Sequence, residues 1–217
     1  VSCALARGLR GAGIDVGVMK PVETGVPAAG PEDARALITA AGVDDPVELV
    51  CPLRFALPAA PEASALAENR RAELDPIQRA WKTLSTRHEF VLVEGAGGLL
   101  VPFDAQTNMA DLAAALALPV LIVARASLGT INHTLLTLEA CDRRGLDVVG
   151  VVVSHATGPL SAADAQNLAV LRRALGNRRI GEVAPTSDPA GVQPADAGLE
   201  AVLALAQAVR TGDARGR

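Results

Sequence analysis

The sequence predicts an α/β protein built on a doubly wound, mostly parallel sheet with helices on both faces, and three observations carry that expectation. Short apolar β-type runs alternate with amphipathic stretches along most of the chain, the pattern of consecutive βαβ units. The run Val91-Leu92-Val93 ends in Glu94 and opens into Gly95-Ala96-Gly97-Gly98, as a buried parallel strand does when its carboxyl end meets a ligand crevice. The chain starts at Val1, without Met, on a helical pattern, and no Gly-x-x-x-x-Gly-Lys-Ser/Thr occurs in it. The first strand of the sheet and the phosphate-binding turn that would follow it are therefore expected to be missing before Val1.

Val1, Leu5 and Leu9 fall at helical spacing, and Gly11 to Gly13 end that helix before a strand over Val16 to Lys20. Further strands are expected at Phe90 to Glu94, Val120 to Ala124, Val148 to Val153 and Ile180 to Val183. Helices are expected at Asp33 to Ala41, Asp75 to Ser85, Ala110 to Leu116, Asn132 to Arg144, Ser161 to Leu175 and Leu199 to Val209, the last followed by a polar tail. Between Val43 and Pro61 the chain is proline-rich without clear periodicity, which predicts a long loop over one sheet edge.

A length of 217 residues suits one domain over 1–217, and with aromatics at only 2% the core must be built from Ala, Val and Leu. The formal charge of −4 leaves no basic footprint, so nucleic acid is not expected as a ligand. No apolar stretch is long enough to span a bilayer. Cys3, Cys51 and Cys141 are widely spaced and form neither a metal-type pair nor an even disulfide set, which fits packing roles in a reducing cytoplasm.

Several residues could carry chemistry. Lys20 closes the first strand run and is followed by Pro21-Val22-Glu23-Thr24-Gly25. A lysine there can bind an anion or stabilise a transferring phosphoryl group; it can equally snorkel at a sheet edge. Asp33 at a helix start is explained on its own by favourable charge at that end. Glu94 follows three apolar strand residues, where an ionised carboxylate is costly without a partner, and Mg²⁺ holding nucleotide phosphates is the natural one. In Ser127-Leu128-Gly129-Thr130-Ile131-Asn132-His133, backbone N–H groups at a helix start could receive a carboxylate or phosphate, with Asn132 as cap and ligand. An ordinary capped helix with an exposed His133 is the alternative. Ser154-His155 and Glu182 lie near the ends of later strands, where a base or ribose often binds, but a turn serine explains the first nearly as well.

Taken together and in order, Lys20-Pro21-Val22-Glu23-Thr24-Gly25, Val93-Glu94-Gly95-Ala96-Gly97-Gly98-Leu99-Leu100-Val101-Pro102 and Leu128-Gly129-Thr130-Ile131-Asn132-His133 resemble the dethiobiotin synthetase family, from Val1 to about Pro185. The resemblance implies a P-loop NTPase-like fold and an ATP- and Mg²⁺-dependent cyclo-ligase of biotin synthesis. That enzyme closes a cyclic urea from diaminopelargonic acid and CO₂, as a cytoplasmic homodimer. It also implies roles for individual residues: Lys20 on the carbamate and phosphoryl group, Thr24 on the substrate, and Asp33 and Glu94 on Mg²⁺. Gly129, Thr130, Ile131 and Asn132 would hold the substrate's carboxylate tail across the dimer interface. Glu94, Gly95, Gly97, Ser154, Val183 and Pro185 would contact the nucleotide, although Ser154 stands where many members have Asn. With no phosphate loop in the chain, catalytic silence is expected of it as it stands.

Two other nucleotide-dependent classes are weighed against this reading. Amidating ligases of corrinoid synthesis usually carry a further glutaminase-like domain. Partition or septum-positioning ATPase switches typically have Asp followed by Pro or Gly in the second nucleotide motif, whereas this chain has Glu94-Gly95-Ala96-Gly97-Gly98.

Overall fold

The computed structural model describes residues 1–155 and 160–211; the polar tail expected beyond Val209 falls almost wholly outside them. In chain order the elements are α1 (Ser2–Gly11), β1 (Val16–Met19), β2 (Val22–Thr24), α2 (Glu32–Ala41), α3 (Val47–Val50), β3 (Leu53–Phe55), α4 (Pro61–Ala67), α5 (Leu74–Arg87), β4 (Phe90–Val93), α6 (Met109–Ala115), β5 (Val120–Arg125), α7 (Thr130–Arg143), β6 (Val148–Ser154), α8 (Ala162–Leu175), β7 (Arg179–Val183) and α9 (Leu199–Thr211). Every ladder between named strands is parallel, β1 with β4, β2 with β3, and β5-β6-β7 in that order. The α/β class is as the sequence predicts, with the strands distributed over three sheets.

The contacts divide the chain into two compact units, one mainly Leu9–Ala117 and the other Cys3–Gly8 with Leu118–Arg217. In the first, all four residues of β1 are buried, which explains its unbroken apolar run. The α5 helix turns Ile77, Ala80 and Leu84 into that core, and α2 contributes Ala34, Leu37, Ala40 and Ala41, at helical spacing in both. The α2 helix stops at Gly42, whose left-handed backbone lets its N–H bond the Ile38 carbonyl. In the second unit the centre of β6 is buried and α9 packs against it, with Val202 and Ala206 buried, while α8 packs on α7 and buries Leu168, Leu171 and Leu175.

The segment expected to be one long loop, Val43 to Pro61, instead holds α3 and β3. Four and three residues are too short to show a hydrophobic period, and β3 exists because its backbone pairs with β2, an element the sequence reading also passed over. The α4 helix was likewise unforeseen.

Opposite the carboxyl ends of β1 and β4, His88 sits just after α5 with both ring nitrogens on carboxylates, Nδ1 at 2.9 Å from Asp15 and Nε2 at 2.7 Å from Asp45. Arg87 also holds Asp45, at 2.9 Å. A Cβ at Gly17 would lie 2.5 Å from the His88 ring, so the glycine is what lets the ring reach both acids. Burial works against the imidazolium, but Asp15 and Asp45 outweigh it and raise the pKa above the ordinary histidine value. A raised folded-state pKa contributes stability that is complete below the unfolded value near 6.5 and is lost as pH rises through the folded value. Thermal unfolding should therefore show Tm falling through that window in the wild type. His88→Gln should flatten that dependence.

Candidate functional site

The site in the first unit forms where β1 and β4 end side by side. Their register pairs Met19 with Val93, and the Glu94 N–H continues the ladder by donating to the Met19 carbonyl at 2.8 Å. The next residue on each strand, Lys20 and Glu94, is thereby brought together. Lys20 Nζ lies 2.6 Å from Glu94 Oε1 and 2.9 Å from Asp33 Oδ2, and also donates to the Gly95 carbonyl at 3.4 Å. The Lys20 side chain is 7% exposed, against 32% for Glu94 and 57% for Asp33. Burial disfavours its ammonium, but Glu94 first and then Asp33 more than offset this and raise its pKa. Lys20 is thus a fixed positive charge with two acids facing it.

The half-buried strand-end acid has this lysine as its partner, and the lysine's own burial is at odds with the snorkelling alternative. Asp33 and Glu94 remain the groups able to hold a divalent cation. Both present hard oxygen donors around one small volume, and Mg²⁺ usually takes one or two carboxylates and completes its shell with water and substrate phosphates. Among the described residues no group of three or more His, Cys, Asp or Glu forms a self-sufficient metal cage.

Further residues of the first unit lie on the segments that follow Lys20 and Glu94. Thr24 ends β2, and its neighbour Gly25 takes φ +75° with its N–H on the Leu57 carbonyl. Gly97 takes φ +73° and turns the chain after β4; a side chain there would be both strained and 3.0 Å from Val101 Cγ2. The segment then returns to α6, started by a reciprocal cap between Asn108 and Asp111. Glu23 was not singled out by the sequence, yet it is 5% exposed. Its carboxylate accepts the backbone N–H groups of Asp33 at 3.1 Å and Ala34 at 3.0 Å. The available signal was an acid alternating with Val22 and Thr24 in a strand-length run.

In the second unit, α7 begins at Thr130 with Gly129 as N-cap at φ +88° and no side-chain cap. Asn132 is therefore not the cap that the sequence suggested; it lies two residues inside the helix and is exposed. The reason is Gly129, which adopts the left-handed turn three residues before Asn132 and lets the first turn form early. Thr130 is buried, its Oγ1 3.5 Å from Thr134 Oγ1. Gly129, Thr130, Ile131 and Asn132 line an open groove of about 430 Å³ with Leu128, Leu135 and Leu136. Those three leucines are exposed. His133 is exposed, as the alternative reading had it.

At the same carboxyl end of that unit's sheet, where Arg125 of β5 is in register with Ser154 of β6, Ser154 pairs with Val183 across β6 and β7, and the His155 N–H donates to the Val183 carbonyl at 3.0 Å. Pro185 follows, exposed. Glu182 is not an isolated acid: it bonds His155 Nε2 at 2.8 Å, the Arg172 guanidinium and, at 3.5 Å, Arg179. Arg172 holds its carboxyl below the usual range, against burial and with help from His155. Cys51 donates to the Leu53 carbonyl, and burial pushes its thiol up to about 12, far from nucleophilic use.

A family model described as an AAA domain matches residues 1–191. The ATP-dependent dethiobiotin synthetase BioD of Anaeromyxobacter dehalogenans (strain 2CP-C) is 54% identical over 159 residues, 73% of this chain and 71% of that protein. The protein of that name from Anaeromyxobacter sp. (strain Fw109-5) is 43% identical over 188 residues, 87% and 84% of the two chains. That of Methanocaldococcus jannaschii is 41% identical over 161 residues, 72% and 73%.

The paired acids generate a direct expectation for Lys20. Asp33→Asn and Glu94→Gln should each lower its pKa and speed acylation by an amine-specific reagent, Glu94→Gln more, since Glu94 is the nearer and less exposed partner. Mass spectrometry of the labelled peptide at several pH values measures this.

Proposed function

The chain belongs to the dethiobiotin synthetase family, and on that premise we propose how its residues serve the family's ATP-dependent ligation. The reaction joins diaminopelargonic acid and CO₂ into the cyclic urea of dethiobiotin. One amine takes up CO₂ as a carbamate, the carbamate oxygen attacks the γ-phosphoryl group of ATP, and the second amine then displaces phosphate from the mixed anhydride. Positioning and charge neutralisation do most of this work. The observation that carries the assignment is the buried Lys20 ammonium held between Glu94 and Asp33 at the carboxyl ends of β1 and β4.

Lys20 is the catalytic group, its charge meeting the carbamate and the transferring phosphoryl oxygens as negative charge builds there. Asp33 and Glu94 are the carboxylates for Mg²⁺, which when bound neutralises charge on the nucleotide's phosphates. Thr24 hydrogen-bonds the substrate. Gly95 and Gly97 keep the turn after Glu94 free of side chains so that the nucleotide can approach, and Ser154, Val183 and Pro185 attend its base. Gly129, Thr130, Ile131 and Asn132 receive the substrate's carboxylate tail.

A homodimer follows from the same reading. The apolar Leu128, Leu135 and Leu136 beside that groove are 78%, 41% and 54% exposed, and a second copy would cover them in a two-fold contact. No helix among the described residues is long and apolar enough to cross a membrane, and three widely spaced cysteines that make no even disulfide set favour a reducing cytoplasm.

In a version carrying a family-type strand and phosphate loop ahead of Val1, Lys20→Gln should lower kcat for dethiobiotin formation by at least about a hundredfold. A rise in KM alone would indicate uniform substrate binding instead. Mg²⁺-dependent turnover unchanged in both Asp33→Asn and Glu94→Gln would remove the metal assignment. Light scattering should give the dimer mass, and Leu136→Asp should shift it towards the monomer.

A further inference from the structure

We propose that Glu23 is a positioning residue for the reaction: it fixes the first turn of α2 so that Asp33 stands at Lys20. The inference rests on the family reaction only for its kinetic arm. A nearly buried carboxylate is costly unless its charge is met, and Glu23 meets no lysine or arginine among the hydrogen bonds and ion pairs around it. It is met instead by two main-chain N–H groups, one on each carboxylate oxygen. Those groups belong to a helix start that has no cap of its own, because the N-cap residue is Pro31, which offers no side-chain acceptor. Glu23 thus supplies from β2 the acceptor that Ser, Thr, Asp or Asn would ordinarily supply from the N-cap, and its charge lies where the helix end favours an anion.

The consequence falls on Asp33. It donates its own N–H to Glu23 while its carboxylate, 57% exposed, reaches Lys20. Glu23 therefore holds the main chain of the residue whose side chain completes the charged centre. It touches neither Lys20 nor Glu94 through any hydrogen bond and acts through Asp33. A residue that merely stabilised α2 would not show that dependence.

The test is a double-mutant cycle between Glu23→Gln and Asp33→Asn. Glutamine keeps the size of the side chain but turns an N–H donor towards one of the two backbone donors. Three measurements are made on each variant: amide hydrogen exchange at Asp33 and Ala34, the rate of Lys20 acylation, and kcat and KM for dethiobiotin formation against Mg²⁺ concentration. Glu23→Gln should raise exchange at the two amides and speed Lys20 acylation. It should also lower kcat about tenfold, the scale of one lost cap or charged hydrogen bond, with KM for diaminopelargonic acid within about twofold. In the Asp33→Asn background it should change acylation and kcat by less than about twofold, since partners in one chain of contacts are non-additive. Leu37→Ala, which loosens α2 from its buried face, should lower Tm without the acylation or kcat signature.

Additive effects, unchanged amide exchange, or the same signature from Leu37→Ala would each overturn the proposal. If Glu23→Gln does not fold, Glu23→Asp carries the same cycle, with the carboxylate drawn back by one methylene. The kinetic arm is run on the version carrying the family-type phosphate loop; if its wild type forms no dethiobiotin, the family reaction fails for this chain, and the exchange and acylation arms alone decide the role of Glu23.

Discussion

A lysine ammonium that is almost fully buried must be neutralised within a few ångströms, and in the first unit that requirement organises everything around Lys20. Glu94 can reach it because β1 and β4 are parallel and in register, so the residue after each strand arrives at the same end. Asp33 can reach it because α2 starts where Glu23 captures its first amides. Gly97 is needed after Glu94 because the chain turns there through a left-handed backbone, close against Val101. Strand pairing, helix start and turn chemistry thus converge on one charge, and a change in any of them is felt there as a change in the lysine's surroundings.

The trio also carries a natural asymmetry. Glu94 is the nearer and less exposed acid, tied to a strand by its backbone; Asp33 is the more exposed, on a helix end. The strand acid therefore acts as the fixed member and the helix acid as the adjustable one. That division leaves the position of one acid to the β1–β4 ladder and that of the other to the start of α2.

Much of this was legible in the residues. Glu94 stood out because an acid ending an apolar run has few inexpensive explanations, and Lys20 because it closes a strand run with the Thr24 hydroxyl and Gly25 a few residues behind it. What stayed hidden depended on partners distant in sequence. His88 reads as an ordinary residue after a helix until Asp15 and Asp45, 73 and 43 positions away, are found on its two nitrogens. Glu23 looks like a solvent-facing strand residue until Pro31 leaves a helix without its own cap. Asn132 misled because Asn is a favoured cap, and only the left-handed turn at Gly129 moves the helix start upstream. The short α3 and β3 carry no period at all and exist by tertiary pairing.

The parallel pairing of β1 with β4 has a kinetic consequence. Lys20 and Glu94 are 74 positions apart, whereas ladder partners in the β5-β6-β7 sheet, Arg125 with Ser154 and Ser154 with Val183, are each 29 apart. Closing the longer loop costs only a little more entropy, yet contacts of high sequence separation are those that slow folding. The charged centre therefore depends on a contact of higher sequence separation than any pairing in the β5-β6-β7 ladders. A molecule caught part-way can have its β5-β6-β7 sheet complete and still lack the ion pair, so refolding followed by a backbone probe and by Lys20 reactivity would run on two different clocks.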